Sequence, residues 1–318
     1  MKNKLTIGFI AYNDLTAKYL LYFFDSLEVS DFYNFDIVIL DHSDKRDNKN
    51  YRIIQEKKSQ EKFFIDYNYV GENLGFARGY NKLIRKAIDS GSKYFLVINP
   101  DVIVEPDCLR KLIAELDKDN SVGSVSPKIK RWDFENNKKT KIIDTCGIEL
   151  QRGLRFVDVG QGEIDNGQFD KINMLGPSGA IAMYRIEALK KIREGEDFFD
   201  ELMFMYKEDC DLAYRLFLAG YKSKCVSKSL AYHDRSVEAQ GESSLKIALN
   251  RRRKGRQAKQ WSFLNQHIIF VKYWNLQSTR EKLFVAWHGI KMLVFVLLFE
   301  QYLLKEYYSL FKIFMKRA

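Results

Sequence analysis

The chain reads as a doubly wound α/β protein: a mostly parallel, Rossmann-like sheet followed by a C-terminal helical extension. Three observations predict it. Short runs rich in β-branched and aromatic residues alternate with helical patterns over the first hundred residues, and that alternation builds parallel sheets covered on both faces. Each apolar run ends in polar side chains, at the strand ends where ligands collect in such sheets. The net charge of +10 is also unevenly placed. Residues 241–318 hold 15 Lys/Arg against 4 Asp/Glu, or +11, while residues 1–240 hold 37 against 38, or −1. The expected organisation is a folded domain over residues 1–240 and a basic helical tail over 241–318.

The first strand, residues 5–11, leads into Tyr12 and Asn13. A second, 36–40, is followed by Asp41, His42, Ser43 and Asp44, and a third, 63–67, by Asn68, Glu72 and Asn73. Near-continuous apolar runs of this length suit strands buried on both faces. The clearest helix comes next: Phe76, Tyr80, Leu83, Ile84, Ala87 and Ile88 carry its apolar pattern, and Ser90–Gly91 closes it. The fourth strand, 94–98, delivers Asn99–Pro100–Asp101. Residues 128–170 turn polar and glycine-punctuated, as a meander or long loops over the sheet would. Gly176–Pro177–Ser178–Gly179–Ala180 reads as a tight turn feeding a buried segment. An acidic helix opens at Glu208–Asp209–Cys210–Asp211 and closes at Gly220, and a strand through Val226 ends near His233.

Two of these features carry chemistry. Asp101 stands at a strand end, where a divalent cation could bridge it to a diphosphate. Hard oxygen donors suit Mg2+ or Mn2+, and a histidine such as His233 tilts the preference toward Mn2+. Acids on the first turn of a helix are favoured by its dipole whatever else they do. They become functional candidates because an aromatic and methionine-rich approach precedes them, and a carboxylate so placed can take a proton from a hydroxyl.

Tyr12–Asn13, Asp41, the stretch Glu72–Asn73–Leu74–Gly75–Phe76–Ala77–Arg78–Gly79–Tyr80–Asn81, Asn99–Pro100–Asp101, Gly176–Pro177–Ser178–Gly179–Ala180, Glu208–Asp209–Cys210–Asp211 and His233 occur in a telling order. It resembles that of family 2 glycosyltransferases, most closely the rhamnosyltransferase branch that builds bacterial surface polysaccharides. The resemblance covers roughly residues 5–235 and implies a GT-A fold, a nucleotide-diphosphate sugar donor and an inverting displacement served by one base. It places Asp41 on the nucleotide base or ribose, with Tyr12, Asn13, Asn73 and Gly75 shaping that pocket. Asn99 and Asp101 would lie at the diphosphate, with Asp101 and His233 on Mn2+ or Mg2+. Asp209 would be the catalytic base, and Glu208 and Gly179 would help place the acceptor or donor sugar. The implied donor is dTDP-L-rhamnose, with a UDP-sugar as the alternative, and the implied acceptor is a saccharide or a polyprenyl-diphosphate-linked one. Many members carry aspartate at both ends of the metal tripeptide. Asn99 brings no charge there, although this form is typical of the rhamnosyltransferase-like branch.

Other classes fit less well. A sugar nucleotidyltransferase shares such a sheet but needs a glycine-rich, basic loop after the first strand, and Tyr12–Asn13–Asp14–Leu15 is not one. A nucleic-acid-binding protein would need a basic face on the folded domain, which sums to −1. Gly71, Gly75 and Gly79 recur every four residues in polar surroundings, making neither a membrane-helix pairing motif nor a dinucleotide fingerprint. Gly75 is expected to admit close backbone approach by the nucleotide.

Cys108, Cys146, Cys210 and Cys225 lie far apart without metal-ligand spacing and read as reduced packing residues. The opening apolar run is too short for a signal peptide, so a cytoplasmic location is expected. In the tail, Arg251, Arg252, Arg253, Lys254, Arg256 and Lys259 form a dense positive cluster. Beyond it the uncharged runs 283–290 and 292–299 fall short of the ~20 residues of a spanning helix. The expectation is amphipathic helices on the cytoplasmic leaflet of the plasma membrane, with the arginines toward anionic lipid. Packing onto the domain, or into a homodimer, is the competing arrangement.

Overall fold

In the computed structural model, which describes residues 4–60, 62–235 and 255–315, the opening strands send alternate side chains to two separate cores. Leu5, Ile7, Phe9 and Ala11 of β1 (Leu5–Ala11) and Tyr94, Leu96 and Ile98 of β4 (Tyr94–Ile98) face one cluster; Phe95 and Val97 face the other. A period of two on strands that are apolar throughout is what a sheet covered on both faces requires. Helices α2 (Leu20–Glu28) and α5 (Cys108–Lys118) cover the first face with Phe23, Phe24, Leu109 and Leu112. Helices α4 (Gly75–Asp89), α6 (Ile186–Ile192) and α7 (Glu208–Leu218) cover the second with Tyr80, Leu83, Leu189, Leu212 and Leu216.

The sheet adds β2 (Phe35–Asp41), β3 (Ile65–Tyr69), β5 (Val102–Val104), β6 (Val122–Asp133), β10 (Ile181–Arg185) and β11 (Lys222–His233). Their order is β3-β2-β1-β4-β10-β6-β11-β5, with β7 (Lys138–Thr145) paired to β6. The run β3-β2-β1-β4 is parallel. Past β4 the sheet becomes mixed: β10 runs antiparallel to both neighbours, while β6 and β11 are parallel to each other. The third strand begins at Ile65 rather than at the apolar Phe63, because Phe63 leaves the ladder to stack on Phe35 at 5.1 Å. The meander is β6 and β7 followed by the hairpin β8 (Ile148–Gln151) and β9 (Arg155–Asp158).

Three helices follow: α8 (Arg256–Tyr273), α9 (Thr279–Phe299) and α10 (Lys305–Met315). Ile268, Ile269, Phe270 and Tyr273 of α8 enter a third core with Met203, Cys210 and Tyr214 around α7 and Ile148 and Phe156 of the hairpin. The arginines of the basic cluster at 251–253, and Lys254, lie outside the described residues. Its described members turn to protein: Lys259 pairs with Glu300 at 2.8 Å, and the Arg256 guanidinium lies 5.4 Å from the centre of the Tyr302 ring.

Helix α9 corrects a sequence expectation. Read from sequence, the segment divides at Lys291 into two runs too short to span a bilayer. The helix instead runs unbroken through Lys291, whose ammonium rests 5.3 Å from the Trp287 ring centre. The helix has 21 residues, and its most apolar 18-residue window has a mean hydropathy of 1.8, which makes it long and apolar enough to cross a membrane by length and composition. Only Val285 and Val296 along it are buried; Leu283, Trp287, Ile290, Leu298 and Phe299 are each more than half exposed.

Candidate active site

The loops after β1 and β2 are stitched together. Asn13, at φ +46°, donates its amide to Ser43 Oγ at 2.7 Å. Its side chain donates to Asp44 Oδ2 at 3.0 Å and accepts the Asp44 amide at 3.1 Å. The Tyr12 amide donates to Thr16 Oγ1 at 2.8 Å, starting the short helix α1 (Asn13–Ala17). Asp41 is fully buried and accepts from the Ser43 amide at 2.9 Å, Asn48 Nδ2 at 3.0 Å and the Tyr67 hydroxyl at 2.7 Å. Its carboxylate thus braces the loop that follows it.

Asn73 Oδ1 accepts the Gly75 amide at 2.9 Å. At φ +75°, Gly75 is a backbone position where only glycine sits without strain. A Cβ there would lie 2.4 Å from the Phe204 carbonyl oxygen, which accepts the Phe76 amide at 2.7 Å. The close approach seen at this glycine is that of Phe204, in the segment leading to the acidic helix.

Asn99 leaves β4 with its amide donating to the Ala180 carbonyl at 2.9 Å, which ties the Asn99–Pro100–Asp101 turn to the one carrying Gly179. Asp101 and His233 meet as the sequence proposed, with His233 Nε2 3.4 Å from Asp101 Oδ2. The other ring nitrogen, Nδ1, bonds Asp144 Oδ2 at 2.9 Å. Burial opposes charge on this imidazole, but Asp101 and Asp144 on its two sides outweigh it and push its pKa up to about 10. Positive charge is thus favoured between these carboxylates. Asp101 Oδ1 is buried and has no hydrogen-bond partner, as an oxygen reserved for a cation would be. The residues fit a divalent cation on those grounds. Among the described residues no group of three or more His, Cys, Asp or Glu side chains is gathered at metal-binding geometry. Asp101 and His233 would therefore be a partial ligand set, completed by donor oxygens.

Sequence reasoning missed the support behind this pair. Asp144, almost fully buried at the end of β7, also receives Arg235 Nη1 at 3.1 Å, and Arg235 Nη2 reaches Asp158 of β9 at 3.0 Å. Burial raises the Asp158 carboxyl even against Arg235, and both Asp144 and Asp209 add to the rise. Asp209 is felt there, so the acidic helix and the Asp101–His233 pair share one electrostatic neighbourhood.

The backbone reaches the acidic helix through Tyr206 and Lys207, both left-handed at φ +72° and +71°. Each such non-glycine residue costs about 1–2 kcal/mol. Glu208 is buried; burial, reinforced by Asp209 beside it, pushes its carboxyl well above the usual carboxylate range, and its Oε2 has no partner. Asp209 is half-buried and accepts two backbone amides, Gly179 at 2.9 Å and Cys210 at 2.8 Å. A carboxylate has about four acceptor sites, so capacity remains for an incoming hydroxyl. The turn carrying Gly179 is thereby the clamp for Asp209. Two residues on, Asp211 is fully buried and receives Arg215 at 2.8 Å and Lys272 at 3.1 Å, with the Tyr273 hydroxyl completing the set. On the opposite side Asn81 holds the approach: its Oδ1 accepts the Phe198 and Phe199 amides at 3.1 and 2.8 Å, and its Nδ2 donates to the Phe199 carbonyl at 2.9 Å.

Three solved structures share the fold at low identity. GalNAc-T7, solved with UDP, GalNAc and Mn2+, superposes with a TM-score of 0.56 at 13% identity, over 79% of this chain and 48% of its own. The mannosyltransferase PcManGT from Pyrobaculum calidifontis, solved with GDP-Man and Mn2+, gives 0.53 at 14% identity, over 98% and 88%. S. aureus TarS gives 0.50 at 17% identity; this chain covers 37% of TarS, and 74% of this chain is matched. This chain thus spans well under two thirds of TarS and of GalNAc-T7. No curated protein matches it significantly. The family model for glycosyl transferase family 2 matches residues 6–193, more than half of the sequence and the segment that builds the strand-end face and the Gly179 clamp. On that match and this sheet, the chain belongs to glycosyl transferase family 2.

Proposed function

We propose that this family member is an inverting hexosyltransferase with Asp209 as its one catalytic base. The observation that carries the reading is the Asp209 carboxylate: two backbone amides fix it, and its remaining lone pairs keep acceptor capacity. Asp209 would take the proton of the acceptor hydroxyl as that oxygen bonds to the anomeric carbon and the bond from that carbon to the nucleoside diphosphate breaks. A divalent cation held by Asp101 and His233 would supply positive charge against the departing diphosphate. Glu208, buried and raised toward its neutral form, would donate a hydrogen bond that helps place the acceptor or donor sugar. Tyr12, Asn13, Asp41, Asn73 and Gly75 would frame the nucleotide, with Asp41 acting mainly through the loop it braces.

Asn99–Pro100–Asp101 favours L-rhamnose from dTDP-L-rhamnose as the donor, for transfer to a saccharide or polyprenyl-diphosphate-linked acceptor in surface polysaccharide synthesis. Helix α9 supports a membrane-side location at the cytoplasmic leaflet, because its apolar surface is left uncovered while Arg280, Lys282 and Lys291 stand along it. Sedimentation of the full chain with anionic vesicles, lost when Trp287, Leu297 and Leu298 become serine, tests that placement.

The decisive experiment for the reaction is thermal stabilisation by dTDP-, UDP- and GDP-sugars with Mn2+ or Mg2+. The largest shift is expected from dTDP-L-rhamnose with Mn2+. A larger shift with a UDP-sugar would keep the class and change the donor; no shift with any nucleotide would contradict both.

A further inference from the structure

The left-handed pair Tyr206–Lys207 immediately precedes Glu208 and Asp209, so its geometry sets where the first turn of α7 begins. Lys207 starts that helix without a side-chain cap of its own. What holds the pair comes from the C-terminal helix. Asn265 of α8 is about 1% exposed and aims its amide group at two successive carbonyls, Met205 at 3.0 Å and Tyr206 at 2.6 Å. An amide nitrogen has two hydrogens, and both are spent here. One turn earlier on the same helix, Trp261 packs on Phe204 with ring centres 4.8 Å apart. The same Phe204 carbonyl is held from α4 by the Phe76 amide. Two turns further along α8, Lys272 and the Tyr273 hydroxyl bond Asp211.

We infer that Asn265 is a positioning residue for the proposed base. It acts through the Met205–Lys207 backbone to hold Asp209 against the Gly179 amide, which makes α8 part of the transferase machinery rather than an appendage. The role rests on Asp209 serving as the base, while the clamp itself is a physical claim that can be read without turnover. Other side chains at 265 fail for simple reasons. Alanine offers no donor, and aspartate would set a carboxylate against two carbonyl oxygens.

The test uses the full chain and two readouts. By hydrogen exchange, Asn265→Ala should speed the amides of residues 204–211 and leave those of β1 and β4 unchanged. In the transfer assay, turnover should fall roughly tenfold to a hundredfold, with the donor KM within about twofold of wild type. Lys207→Gly in the same chain should recover most of the loss, because glycine holds φ near +70° without strain. Unchanged exchange at 204–211 overturns the clamp whatever the turnover does. Wild-type turnover in Asn265→Ala, or a loss that Lys207→Gly does not relieve, overturns the positioning role. Faster exchange at 204–211 in a chain whose wild type transfers no sugar keeps the clamp and removes the transferase reading instead.

Discussion

Helix α7 carries two aspartates two residues apart, and the two sides of its first turn treat them in opposite ways. Asp209 lies half-buried, held by backbone amides from Gly179 and Cys210. Asp211 is sealed among Arg215, Lys272 and Tyr273. Amides can orient a carboxylate while leaving it able to accept a proton; two cations and a phenol consume it. A turn that would pass as ordinary capping is thus split into an amide-held side facing the Gly179 turn and an anchoring side facing α8.

The contrast breaks most visibly at Asp211. Replacing it with alanine takes the nearest carboxylate from the buried Arg215 and leaves Lys272 to Asp200 and Glu194, and a loss of about 3–5 kcal/mol is expected, read as a lowered Tm or denaturation midpoint. A stability change under 1 kcal/mol would put the anchoring role elsewhere. Next comes the support behind the Asp101–His233 pair. Asp144→Ala should weaken Mn2+ binding, measured by calorimetry with the donor nucleotide present, by roughly 10–100-fold, since it leaves His233 free to turn from Asp101. An affinity equal to wild type would assign Asp144 to folding alone.

The smallest effect is in pH. Burial opposes charge on Asp211, but Arg215, Lys272 and the Tyr273 hydroxyl hold its pKa below the usual value. A carboxylate whose folded pKa lies below its unfolded value of about 3.9 stabilises fully above that value and loses its contribution as pH falls through the folded pKa. Melting temperature should therefore drop on acidification below about pH 4. The Asp211→Asn chain should show a shallower drop over the same range; equal slopes would remove Asp211 as a contributor.

Much of the amide-held side was legible in sequence because it is local. Strand ends, the Asn99–Pro100–Asp101 turn and the acidic helix start are each written in a few adjacent residues, and β1 and β4 fall where their apolar runs predict. The anchoring side was not legible, because it depends on residues about 60 positions away: nothing near Asp211 announces Lys272 or Tyr273. Asp144 was hidden for the same reason, reading as one polar residue in a meander until β7 brings it beside His233. Gly75 was visible as special, while the Phe204 packed against it lies 129 positions later and could not be read from its neighbourhood. Helix α9 was misjudged at Lys291, since a single lysine with a long apolar stem does not end an apolar helix.

Side-by-side assay of Asp209→Asn and Asp211→Asn, each scored for turnover and for Tm, tests the division most directly. Asp209→Asn should keep the wild-type Tm and nucleotide-sugar stabilisation while turnover falls roughly 10²–10⁴-fold, and Asp211→Asn should lose stability first. Near-wild-type turnover in Asp209→Asn would contradict its assignment as the base.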